Sequence, residues 1–89
     1  MAESETLRID KWLWHARFCK TRAIAQDKAC QGQIRLNGHR IEKASAAVRI
    51  GDVMTLIAAG KVVSLRVLSL GLRRGPAAEA RTLYEIIEG

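Results

Sequence analysis

The sequence predicts an α+β fold: two N-terminal helices packed on a small, mainly antiparallel sheet, with a short C-terminal helix. Three observations predict it. Apolar residues recur at helical spacing near the start of the chain, where Ile9, Trp12, Leu13 and Ala16 fall at i, i+3, i+4 and i+7. From Gln33 the period changes to two, and Asn37-Gly38 supplies a two-residue hairpin turn. Pro76 then opens an alanine-rich stretch suited to a last helix. A chain of 89 residues is long enough for one small core and too short for two.

In order, residues 1–6 are short and polar, as a frayed end would be. The first helix turns Ile9, Trp12, Leu13 and Ala16 to the core. At 100° per residue Lys11, Trp14, His15 and Phe18 are expected on the opposite side, as a cationic and aromatic stripe. Thr21 has the chemistry of an N-cap for a second helix over 22–31, which Gly32 closes in the left-handed conformation. Ala23, Ala25 and Ala29 let the two helices approach closely. Residues 33–36 form a strand that turns at Asn37-Gly38 and returns through His39, Arg40 and Ile41, with Arg35 on the polar side. Positions 44–47 are small and irregular. Gly51-Asp52 and Gly60 mark turns around strands expected at 53–58 and 62–70, and the last helix is expected through 78–87.

Charge is strongly segregated. Residues 8–43 hold nine basic and three acidic side chains and so carry the whole formal net charge of +6, whereas the rest of the chain holds six of each sign. A basic block on an otherwise neutral domain points to a phosphate polyanion, with nucleic acid first. Lys11, Arg17, Lys20 and Arg22 gather along the first helix and across the joint into the second. Trp14 and Phe18 lie on the same side, where aromatic rings among cations offer a surface for unpaired bases. Phe18 has a rival place under the C-terminal helix, and Lys28 one in which its stem covers core surface. Arg73 and Arg74, in a glycine-bounded loop, suit either a phosphate or plain solvation.

Catalysis has little to stand on. His15 and His39 are the only imidazoles, the serines have no nucleophile setting, and no paired carboxylates occur in a run. Neither a dinucleotide fingerprint nor a phosphate-binding loop is present. Cys19 and Cys30 complete no zinc or redox pattern, so no metal or cofactor is expected and the thiols read as reduced. The acidic N-terminus and the lack of a long apolar run suggest a soluble, cytoplasmic chain that starts at its own Met1 and meets no membrane.

The segments LRIDKWLWHARFCKTRAIA, GQIRLNGHRIEKAS and VRIGD resemble the RNA-binding domain first defined in the fourth protein of the small ribosomal subunit, the αL motif. RIDKWLWHARFCKTR is similar to its stand-alone bacterial members, the ribosome-associated heat-shock protein fifteen group. The resemblance implies an RNA-binding core over residues 7–57, with 58–89 completing the same single domain. It also implies RNA-facing positions at Arg8, Lys11, Arg17, Lys20, Thr21 and Arg22 on the helices and at Arg35, Asn37 and Lys43 around the hairpin; Trp14 joins them as a stacking surface.

The implied role is binding of ribosomal RNA and tRNA on a stalled or dissociated large ribosomal subunit that carries peptidyl-tRNA, in rescue or quality control, by a monomer without chemistry of its own. Two features depart from the family: Ala44 follows Lys43 where many relatives have proline, and the sequence to Gly89 lacks the long basic C-terminal extension of the enterobacterial heat-shock type. A protein-interaction adaptor anchored by Trp14 and Phe18, and a DNA-binding heat-shock regulator, are the alternatives.

Overall fold

The structure, a computed structural model, describes residues 5–88. Strand β1 (Leu7–Arg8) leads directly into α1 (Ile9–His15), and α2 (Arg22–Cys30) follows. Then come β2 (Arg35–Leu36), β3 (His39–Arg40), β4 (Ala47–Val48), β5 (Val53–Ala58) and β6 (Lys61–Val67). The chain ends in α3 (Ala77–Ala80), a 3-10 turn (Arg81–Leu83) and β7 (Tyr84–Glu88). Five strands form a sheet in the order β3-β2-β5-β6-β7, and β1 pairs with β4 apart from it. Every pairing is antiparallel, so the expected α+β class is the observed one.

The core lies between the helices and one face of the sheet. Ile9, Trp12, Leu13 and Ala16 are buried as their spacing requires, and they meet Ala25 and Ala29 from α2 and Leu36, Met54, Leu65 and Val67 from the sheet. Leu70 and Leu83, from beyond the main strands, belong to the same cluster. Thr21 caps α2 by accepting from the Ile24 amide at 3.1 Å, and Gly32 follows at φ +72. Asn37 and Gly38 both take positive φ, as a type I′ turn demands.

Four expectations are corrected. The first helix ends at His15, before the stripe is complete, because Arg17 is left-handed at φ +64. Its amide and that of Phe18 reach back to the Trp14 and Leu13 carbonyls, a Schellman closure with arginine where glycine is usual. His15 is therefore not on a solvent stripe: it is 2% exposed, and Phe18 is half-buried. Residues 84–88 are a strand rather than the end of a helix, since β6 has an open edge that Tyr84–Glu88 pairs along. Strand β6 stops at Val67, where the Leu68 and Ser69 amides both turn to the Leu83 carbonyl. The β1–β4 ladder, in a region read as irregular, fastens the turn at 43–46 to the start of α1: the Ile9 and Asp10 amides donate to the Ala46 and Ala44 carbonyls.

Candidate nucleic-acid interface

The helix joint is organised around a carboxylate. Asp10, in the first turn of α1, is fully buried, and five donors converge on it. Arg8 offers Nε and Nη2, each at 3.1 Å, and the Lys11 amide approaches to 2.8 Å. From α2, Gln26 Nε2 reaches it at 3.2 Å and Arg22 Nη2 at 3.4 Å. Burial alone would raise the carboxyl's pKa. The bonds from Arg8, Gln26 and the Lys11 amide, with the charge of Arg8, outweigh that and hold it below the usual carboxylate value. Asp10 thus fixes two guanidinium groups side by side while both arginines stay about half exposed. Fixed, half-exposed guanidinium groups suit bidentate contact with phosphate.

The other expected positions fall into separate groups. Lys20 and Lys43 are exposed, and among the described residues neither side chain has a hydrogen-bond or ion-pair partner; Lys43 starts the turn fastened to α1. Lys11 is half-buried on α1. Thr21 is exposed, with its hydroxyl engaged as the cap of α2. Arg35 does not share the helix side of the sheet. Leu36 and its partner Met54 are buried, so by strand alternation Arg35 and its partner Thr55 face the opposite way. Asn37 uses both ends of its amide internally: Oδ1 accepts from the Val53 amide at 2.9 Å, and Nδ2 donates to Asp52 at 3.1 Å.

Arg17 and Trp14 are bound to the loop at 71–75. Arg17 Nε donates to the Gly75 carbonyl at 2.7 Å, and the Arg74 guanidinium lies 5.9 Å from the Trp14 ring centroid, a cation–π distance. Trp14 is half-buried, not an open platform. Phe18 stacks on Trp12 and leans on Tyr84 at 4.8 Å, taking the internal place that rivalled base stacking, though against a strand instead of a helix. The two anchors of an adaptor surface are therefore largely used within the fold.

Sequence reasoning missed the part played by Asp10. The signal was there, since an acidic residue two positions after Arg8 in a first helical turn, with Gln26 one helix away, can draw donors from both helices. Among the described residues no group of three His, Cys, Asp or Glu side chains is placed to hold a metal, and no helix is long and apolar enough to cross a membrane.

Comparison with known proteins places the chain in a family. The S4 domain family model matches residues 7–54, a little over half of the chain. A heat shock protein 15 homolog from Haemophilus influenzae is 39% identical over 88 residues, covering 99% of this chain and 66% of that protein. The chain thus spans about two-thirds of the length of that relative. The RQC P-site tRNA stabilizing factor of Bacillus subtilis is 35% identical over 82 residues, covering 92% of this chain and 93% of that protein. A trimeric structure of Vibrio cholerae heat shock protein 15 superposes with a TM-score of 0.86 at 38% identity, covering 92% of this chain and 82% of that one. The chain belongs to the S4 domain family, and within it to the stand-alone group of heat shock protein 15 and the RQC P-site tRNA stabilizing factors.

Proposed function

We propose that this protein binds ribosomal RNA and tRNA on large ribosomal subunits that carry peptidyl-tRNA after stalling or dissociation, and so serves rescue or ribosome-associated quality control. One observation carries the reading: the whole basic block, which holds the net charge, lies within the S4 match, and in it Asp10 fixes Arg8 and Arg22 while both side chains stay about half exposed. The names of the relatives, a P-site tRNA stabilizing factor and heat shock proteins, support the same partners and a role under stress. The protein acts by gripping RNA, without chemistry of its own, cofactor or membrane, in the cytoplasm. Residues 7–57 supply the contacts, and 58–89 complete the same domain. Arg8, Lys11, Lys20, Arg22, Arg35 and Lys43 meet phosphate; Thr21, Asn37, Trp14 and Arg17 shape that surface.

The test uses side chains that hold nothing else together. A Lys20→Ala, Arg35→Ala, Lys43→Ala triple variant keeps its fold, because exposed charges contribute little stability. It is expected to lose cosedimentation with large subunits, and retained cosedimentation would overturn the interface. Duplex DNA competing as well as tRNA would favour a DNA-binding regulator instead. The binding unit is a single chain in this reading; since the V. cholerae relative is trimeric, mass measurement by light scattering, free and with RNA, checks it.

A further inference from the structure

The loop at 71–75 is tied to the closing turn of α1. Leu72 at its tip is 100% exposed, the most exposed large apolar side chain in the described structure. It is followed by Arg73, which is exposed and 3.5 Å from Glu79, and by Arg74, which is held over Trp14. The loop is not slack. Three side chains from α1 and its closing turn donate to carbonyls in or beside it: Trp12 Nε1 to Ser69 at 2.9 Å, His15 Nδ1 to Leu70 at 3.2 Å and Arg17 Nε to Gly75 at 2.7 Å. A carbonyl only accepts, so His15 carries its proton on Nδ1. Behind the loop, a cavity of about 240 Å³ opens between His15 and the α3 region, lined by Leu72, Arg73, Glu79 and Thr82 among others.

An exposed leucine on a fixed loop, between a cavity and two arginines, needs a partner that is anionic and also offers flat apolar surface. A solvated loop explains the arginines but not the leucine, and an apolar protein surface explains the leucine but not the arginines. A nucleotide outside a regular helix has both features, a phosphate and an unstacked base.

Resting on the RNA-binding reading above, we propose that the loop at 71–75 is a second arm of the RNA interface. In it Arg73 meets a phosphate, and Leu72 packs against an unpaired base at the mouth of the cavity. Arg17 acts here as a positioning residue, joining this arm to the helix joint through the Gly75 carbonyl.

The experiment measures binding of the full chain to purified large ribosomal subunits and to bulk tRNA over a range of salt. Leu72→Ala is expected to weaken binding about tenfold with the salt slope unchanged, the loss of one packed aliphatic side chain. Arg73→Ala is expected to weaken binding and to reduce the slope of log affinity against log salt by roughly 0.7 to 0.9, one phosphate's worth. Unchanged melting temperatures confirm that both variants fold. If both bind like the unaltered protein while the Lys20, Arg35 and Lys43 variant is weakened, the second arm is wrong and the main interface stands. If the unaltered protein binds neither subunits nor tRNA, the RNA reading fails and this inference falls with it. A photoreactive benzophenone side chain in place of Leu72 is expected to crosslink to RNA; crosslinks to protein alone would also overturn the proposal.

Discussion

Asp10 shows how one residue converts a charged stretch into a defined site. Without it, Arg8 and Arg22 would repel one another across the joint; with it, both are aimed and held. Asp10→Asn keeps the shape but removes the charge, and unfolding in urea is expected to show a loss of about 2 kcal/mol, below the range for fully buried pairs because the arginines remain half exposed. In the folded protein the carboxyl is held below its ordinary value of 3.8, so the stabilisation from this carboxylate is complete above that value. It is lost as pH falls through the lower folded pKa, and the stability gap between the two proteins should close there. Arg17 gives a second test. A left-handed arginine is strained by roughly 1 kcal/mol relative to glycine, so Arg17→Gly is expected to be more stable than Arg17→Ala by about that amount, both having lost the bond to Gly75. Thiol labelling gives a third. Burial pushes the Cys19 thiol up, only partly offset by Lys28, while Cys30 is exposed, so a maleimide at neutral pH should modify Cys30 first. Thr21 was legible from the sequence because capping depends on neighbours a few positions away. The convergence on Asp10 and the bond of Arg17 were harder to read, since Arg22 and Gln26 lie on another helix and Gly75 in a distant loop.

Elements were legible where local chemistry decided them. Thr21 and Gly32 bound α2, Asn37-Gly38 set the hairpin, and β5 spans the expected residues. The misread elements are those that distant partners decide. Residues 84–88 carry a pattern compatible with a helix, but β6 has a free edge and Leu65 a face that Ile86 pairs beside. The first helix stops early because Phe18 turns in to meet Trp12 and Tyr84. Hydrogen exchange should follow this division. Amides paired between β5 and β6, the longest ladder, are expected to exchange last, and those of the two-residue strands β1 and β3 first.

Across the whole molecule, the charge block read from sequence does not become one flat face. Arg8, Arg22 and the Lys43 turn gather at the start of α1, Arg35 looks away from the other side of the sheet, and Arg17 leads toward the loop at 71–75. A surface divided in this way suits folded RNA, which presents phosphates at several angles, better than a straight duplex. Its affinity for large subunits should fall linearly with salt on a log–log plot, and the Lys20, Arg35 and Lys43 triple variant should show a slope smaller by up to roughly 0.7 to 0.9 for each contact removed.

The bonds from Trp12, His15 and Arg17 to the carbonyls of residues 69, 70 and 75 also set a clock on the birth of the protein. Translation delivers α1 early and the carbonyls that satisfy it late, and Tyr84, against which Phe18 rests, later still. An emerging chain therefore keeps the Trp12 indole N–H bonded to water and the Phe18 ring unpacked until residues 69–84 have left the exit tunnel. The Asp10 joint closes within residues 8–26, whereas Arg17 takes its final place only after Gly75 has joined the chain, so the two arms of the basic surface form at different stages of synthesis.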